Sequence, residues 1–346
     1  MWVSRLKYKE LKVFLILFSM FFSITAVIIT GSTVRDSVFL LNFDRTYLPL
    51  MYVLIAILVP FIIRLHRRIS DGLDELKVAN LMGLVFTLSL VLFSYEVLDW
   101  LIPFFYIWME IIIIFSVIQF WILAGRILNP RQAKRIFPLI ISGGSLAVIA
   151  SGYCIKPFTH KFGSDSLLFL TLIFLGLSIL ISQFLHQFVK KDLTLKSDQI
   201  NSKSKQKPVF DNYLKSIAIM VICSAFVTKI IDYQFKIYAV NTFPDQNELV
   251  NFFGSYYMYT GAATLFMQAV FSPFVLTRYG ILTGLIILPA AISIGSVGFA
   301  ALGSLSAILF SKFSDQVFKF SIYNAVKEIL WLPLPIEKRN FLKPSI

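Results

Sequence analysis

Charge is what this sequence has least of. Asp, Glu, Lys and Arg make up 15% of its 346 residues, while 57% are hydrophobic and the mean hydropathy is +0.77. An ordinary soluble domain carries about 25% charged residues, so a soluble fold is excluded. Cysteine is nearly absent: Cys154 and Cys223 both lie in apolar runs, which rules out a disulfide scaffold and leaves them as small buried hydrophobes. The three histidines, His66, His160 and His186, fall near loops or span ends. No Ser-His-Asp, Cys-His or metal-spaced cluster accompanies them, so the sequence offers no catalytic residue, no metal site and no cofactor, and an enzyme is not indicated. ISGGSLAVIASG supplies glycines with no following Lys and no strand context, so it is not a phosphate loop. Within it Gly143, Ala147 and Ser151 recur at every fourth residue, the spacing of close membrane-helix packing.

What is present is a series of apolar runs. A spanning helix needs about 20 mostly apolar residues, and ten such spans are expected, at 13–33, 46–63, 78–97, 101–123, 137–155, 167–188, 213–235, 250–276, 281–301 and 304–324. The fold class is therefore an all-α polytopic membrane protein. The first run follows Arg5, Lys7, Lys9 and Lys12; its apolar part exceeds the roughly 7–15 residues of a cleaved signal, and no small-residue cleavage site follows. It is read as a retained span.

Lys and Arg collect in cytoplasmic loops. They gather here at the N-terminus, in the 2–3 loop (Arg64, Arg67, Arg68, Lys77), in the 4–5 loop (Arg126, Arg131, Lys134, Arg135) and after span 6, and Lys338, Arg339 and Lys343 follow the last span. Both termini are therefore expected in the cytoplasm, in a protein of the cytoplasmic membrane. The net charge of +13 is a topology signal; it is scattered through short loops rather than gathered on one domain, so nucleic acid is not a partner and the bilayer is. Residues 190–212, KKDLTLKSDQINSKSKQKPVFDN, form a basic, Ser-rich linker. It divides a six-span half, 1–189, from a four-span half with a short tail, 213–346. The 6 + 4 layout resembles the major-facilitator bundle without its last two spans, a fold that places its substrate between halves built of three-helix repeats.

The ionisable residues inside the spans are confined to spans 1, 4, 7 and 10. Span 1 ends in Arg35-Asp36, span 4 carries Glu110, span 7 carries Lys229, Asp232 and Lys236, and span 10 carries Lys312, Asp315 and Lys319. A charge at mid-membrane costs on the order of 3 kcal/mol, so such residues mark a wet interior. Spans 7 and 10 share the spacing K-x-x-D-x-x-x-K, whose steps of three and four put all three residues on one helical face. Two readings stay open: Asp232 neutralises its own two lysines, or the net positive faces receive an anionic, phosphorylated substrate. Glu110 has no opposite charge within four residues; it either stays protonated or finds a cation on another helix, with Arg35, Lys229 and Lys319 as candidates.

Four strings, in order along the chain, carry a resemblance: TGSTVRDSVFLL, YIWMEIIIIFSVIQFWILAGRILNPRQAKRIFPLIISGG, IIDYQFK and FSKFSDQVFKFSIYNAVKEILWLPLP. The chain resembles the ATP/ADP translocase family of plastid and bacterial nucleotide transporters, whose members have about twelve spans, two more than are counted here. The resemblance implies a nucleotide antiporter working by alternating access, with ATP and ADP as transported substrates rather than cofactors. It also implies roles in exchange for Arg35, Glu110, Asp232 and Lys319, with Lys327 as alternative to the last; Arg35 stands where the family's exchangers typically have Lys. Residue pattern and resemblance together give Arg35, Glu110, Lys229, Asp232, Lys236 and Lys319 as candidate substrate-binding or gating residues, with Asp36, Lys312, Asp315 and Lys327 in second place. Transport of another anionic solute, or a membrane protein without transport activity, are the alternatives.

Overall fold

A computed structural model describes residues 8–70, 75–95, 99–128, 130–164, 166–193 and 212–330. Most of the linker and the C-terminal Lys338, Arg339 and Lys343, like Arg5 and Lys7, lie outside the described residues, as do the side chains of His66 and His186. Among the described residues there is no strand. The helices are α1 Tyr8–Asn42, α2 Leu48–Ser70, α3 Glu75–Tyr95, α4 Ile102–Ile127, α5 Pro130–Phe162, α6 Leu167–Leu193, α7 Asn212–Thr242, α8 Gln246–Phe266, α9 Ser272–Arg278, α10 Gly280–Leu302, α11 Leu305–Phe318 and α12 Asn324–Leu330. Eight helical stretches among the described residues are long and apolar enough to cross a membrane, and Asn80–Phe93 is a shorter apolar helix. Side chains such as Ile57, Phe61, Leu88, Leu92 and Ile173 are exposed along these helices, an apolar surface that suits lipid.

Three sequence expectations change. Span 1 does not end at Arg35-Asp36: α1 runs on to Asn42, because SVFLL continues the apolar pattern and no breaker intervenes, so both charged residues sit inside a helix. The last expected span is helix interrupted by a π-helical turn, Lys319–Tyr323, between α11 and α12. A second π-helical turn, Met267–Phe271, separates α8 from α9; Pro273 follows closely and, having no N–H, cannot satisfy the carbonyl four residues before it. Finally, Cys154 and Cys223 are exposed rather than buried. Apolar sequence implies burial in a soluble protein, but in a membrane helix it equally fits the outer face.

The chain separates into two compact units, 1–195 with 243–262, and 196–242 with 263–346. In the first, α1 packs against α4, α5 and α6 and is buried along much of its length, with Leu17, Ala26, Val27 and Phe39 fully enclosed. Its hydroxyls are satisfied within the helix: Thr30 donates to the carbonyl of Ala26 at 2.8 Å and Thr33 to that of Ile29 at 2.7 Å, the local pairing a polar side chain needs where water is absent. Thr171 of α6 then donates to Thr30 at 3.0 Å. Small residues of α5 admit close neighbours. A Cβ on Gly143 would stand 2.6 Å from the Phe18 ring of α1, and one on Gly152 would stand 2.6 Å from the backbone of Gly254 and Met258 in α8; Ala147 and Ser151 between them are buried. Gly143, the first of the four-residue series read from the sequence, thus admits α1 closely, and Gly152 beside that series admits α8. In the second unit α7 packs on α11, and α11 on α10. The loop from α10 to α11 turns at Gly303, whose φ of 55° is the left-handed conformation that favours glycine.

Candidate functional site: two buried ionic clusters

Four helices were singled out by their charges, and the fold pairs them, α1 with α4 in the first unit and α7 with α11 in the second. Charge that would be costly alone is brought to a partner.

In the first unit Arg35 is the hub. Its Nη2 lies 2.8 Å from Asp36 Oδ1 and its Nε donates to the same oxygen at 2.9 Å. Its Nη1 pairs with Glu110 Oε2 of α4, and the guanidinium lies 4.6 Å from the centroid of the Tyr106 ring. The Arg35 side chain is 7% exposed. Of the three cations the sequence offered Glu110, the structure supplies Arg35. The planar guanidinium makes this possible: two edges serve two carboxylates while one face stacks on an aromatic ring, which an ammonium cannot do. Tyr106, four residues before Glu110 and so on the same face of α4, was missed in the sequence. Its i,i+4 spacing from Glu110 was the available signal.

In the second unit the twin motifs interlock across helices. Asp232 of α7 receives Lys236 of its own helix at 2.8 Å on Oδ2 and Lys312 of α11 at 2.7 Å on Oδ1. The other carboxylate is treated differently. Asp315 of α11, 2% exposed, accepts a hydrogen bond from the Thr228 hydroxyl of α7 at 2.9 Å, and the same hydroxyl oxygen accepts one from Lys319 Nζ at 2.8 Å. Lys319 is also the first residue of the π-helical turn. Of the second-rank candidates, Asp36, Lys312 and Asp315 therefore join the clusters as direct participants. Lys229 lies on the exposed surface of α7 and Lys327 is half-buried in α12. Thr228, one residue before Lys229, was not legible in advance, since an uncharged residue carries no insertion cost to mark it.

Chemically, both clusters are ion-pair stores. Lysines and a guanidinium held inside membrane helices can bind phosphate or carboxylate; Arg35, Lys236 and Lys312 hold carboxylates that an incoming anion can replace, and Lys319 holds a hydroxyl. Among the described residues no group of His, Cys, Asp and Glu is arranged to hold a metal ion.

Comparison with known proteins places the chain among transporters. The chain's fold resembles that of a solved nucleoside transporter, NupG, with a TM-score of 0.60 and 14% identity, over 94% of this chain and 85% of that one. An ADP,ATP carrier protein 1 of Chlamydia trachomatis is 24% identical over 80% of this chain and 59% of its own length. The chloroplastic ADP,ATP carrier protein 1 of Arabidopsis thaliana is 26% identical over 63% of this chain and 40% of its own. The chain thus spans about three fifths or less of the length of these relatives. The model of the TLC ATP/ADP transporter family, a family of transporters and not of enzymes, matches residues 9–317, and the chain belongs to that family.

Proposed function

We propose that the chain exchanges ATP for ADP, or another nucleotide pair, across the cytoplasmic membrane by alternating access. The observation that carries this reading is the cationic group of α7 and α11, in which Lys236 and Lys312 share one carboxylate and Lys319 rests on a neutral hydroxyl. Three ammonium groups within membrane helices exceed what a singly charged solute needs and suit a polyphosphate. Arg35 serves differently: with Asp36 and Glu110 both on it, it takes part by releasing a carboxylate when it moves toward phosphate. Buried cations that must hold either their internal partners or substrate are costly to reorient in any intermediate state, and this favours obligatory exchange over net transport. The Lys and Arg distribution supports both termini on the cytoplasmic side.

The test is counter-exchange. Proteoliposomes preloaded with ADP should take up labelled ATP faster than empty vesicles, and unlabelled nucleotides should compete better than inorganic phosphate or dicarboxylates. Equal uptake into loaded and empty vesicles at every concentration would reject exchange. Preferential competition by a non-nucleotide anion would replace the substrate.

A further inference from the structure

The two K-x-x-D-x-x-x-K motifs are identical in spacing, yet the structure uses them unequally. If they were equivalent, Asp315 would meet a lysine of α7 as Asp232 meets Lys312 of α11. Its hydrogen-bond donor from α7 is instead Thr228. That places a hydroxyl between Asp315 and Lys319, two residues that would otherwise form the i,i+4 ion pair that Asp232 and Lys236 do form.

We infer that Thr228 is a positioning residue that keeps Lys319 available to the transported anion. Lys236 and Lys312 are bound to a carboxylate, and withdrawing either leaves a buried charge uncompensated. Lys319 donates to a neutral oxygen, a contact that lacks the Coulomb attraction of an oppositely charged acceptor. Thr228 also protects what Lys319 leaves behind, because its O–H still donates to Asp315 when the ammonium moves away. The direction of the chain is fixed: Lys319 N–H to Thr228 Oγ1, Thr228 O–H to Asp315 Oδ1. The place of Lys319 in its helix suits the same role. As the first residue of a π-helical turn it stands where the regular hydrogen-bond ladder is already offset, and π-bulges are frequent at functional sites for that reason. This inference rests on the reading that Lys319 meets the substrate.

Thr228→Val keeps the shape and removes both hydrogen bonds, so Lys319 settles directly on Asp315. The KM for ATP in counter-exchange should rise about tenfold with kcat changed less than about threefold, and Thr228→Ser should restore the native KM to within about twofold. A second measurement needs no substrate: acetylation by a water-soluble amine reagent, quantified by mass spectrometry as the ratio of Lys319 to Lys312. That ratio should fall at least about threefold in Thr228→Val and remain native in Thr228→Ser; Thr228→Ala gives the same readout if the Val variant does not fold. An unchanged ratio in both Val and Ala variants, or failure of Ser to restore it, overturns the inference. A shifted ratio with no protection of Lys319 by ATP or ADP in the native chain upholds Thr228 as the positioning residue and rejects the nucleotide reading instead.

Discussion

Replacing Asp232 by Asn should destabilise the protein more than any other single charge removal in α7 or α11. Its carboxylate is the shared partner of two ammonium groups at 2.7 and 2.8 Å, on lysine side chains only 13% and 5% exposed. At an effective dielectric constant near 20, each contact is worth roughly 6 kcal/mol in Coulomb terms. Desolvation offsets most of that while all three charges are present, but removing the carboxylate alone leaves both lysines buried with the desolvation cost still paid, a loss of about 3–5 kcal/mol. The Asn carbonyl accepts from one lysine, which favours the lower end. Thermal unfolding of purified protein in detergent, followed by tryptophan fluorescence, should show an apparent Tm lower by on the order of 10 °C. The combined substitution Asp232→Asn, Lys236→Met, Lys312→Met removes the charges altogether and should recover most of the loss. A drop of less than about 2 °C in the single variant, or no recovery in the triple, would refute the cost of unpaired charge as the governing term.

Three further outcomes are expected. Glu110→Gln takes one of the two carboxylates from Arg35, so stability should fall by about 1–3 kcal/mol and counter-exchange should slow about tenfold; an unchanged exchange rate with lowered stability would make Glu110 a counter-ion only. Gly152→Ala places a Cβ 2.6 Å from backbone atoms of Gly254 and Met258, against the 3.4 Å of ordinary contact, so α5 and α8 must part by several tenths of an ångström at about 1–3 kcal/mol; Gly125→Ala, where nothing lies within 4 Å, is the neutral control in the same thermal assay. The backbone N–H of Thr46 donates to Asp44 Oδ1 at 3.0 Å, and that bond, with the nearby Arg45 charge, holds the Asp44 carboxyl below its ordinary value. A depressed native value means that the contribution is present above about pH 4 and is lost as the pH falls through the lowered native value. The Tm gap between native protein and Asp44→Ala should therefore narrow below about pH 4, and a gap constant from pH 6 to pH 3 would contradict the assignment.

Much of the membrane architecture was legible because its cause is local. Hydrocarbon admits a helix only where some twenty apolar residues are continuous, and eight helical stretches among the described residues are long and apolar enough to cross it. The charged residues were legible for the complementary reason: in a medium that rejects them, their presence needs a cause, and Arg35, Glu110, Asp232, Lys312, Asp315 and Lys319 all fall in the two clusters. Helix ends were less legible. Nothing in the apolar pattern marks where α1 stops beyond Asp36, nor that the helix loosens at Lys319, since a π-helical turn uses the same residues as the α-helix around it.

The sequence by itself determined that this chain inserts in a membrane, which helices carry charge, and that lysines outnumber carboxylates in the helices of the second unit. The tertiary structure alone decided how those charges are shared. Identical spacing in α7 and α11 cannot reveal that Asp232 bridges the two helices while Asp315 is reached through Thr228, because spacing fixes a face of one helix and not what stands opposite. Nor can it reveal that Arg35 is divided between its neighbour in sequence and Glu110, 75 positions away. Partnership between helices depends on their relative register and depth, which residue spacing along a single helix does not give.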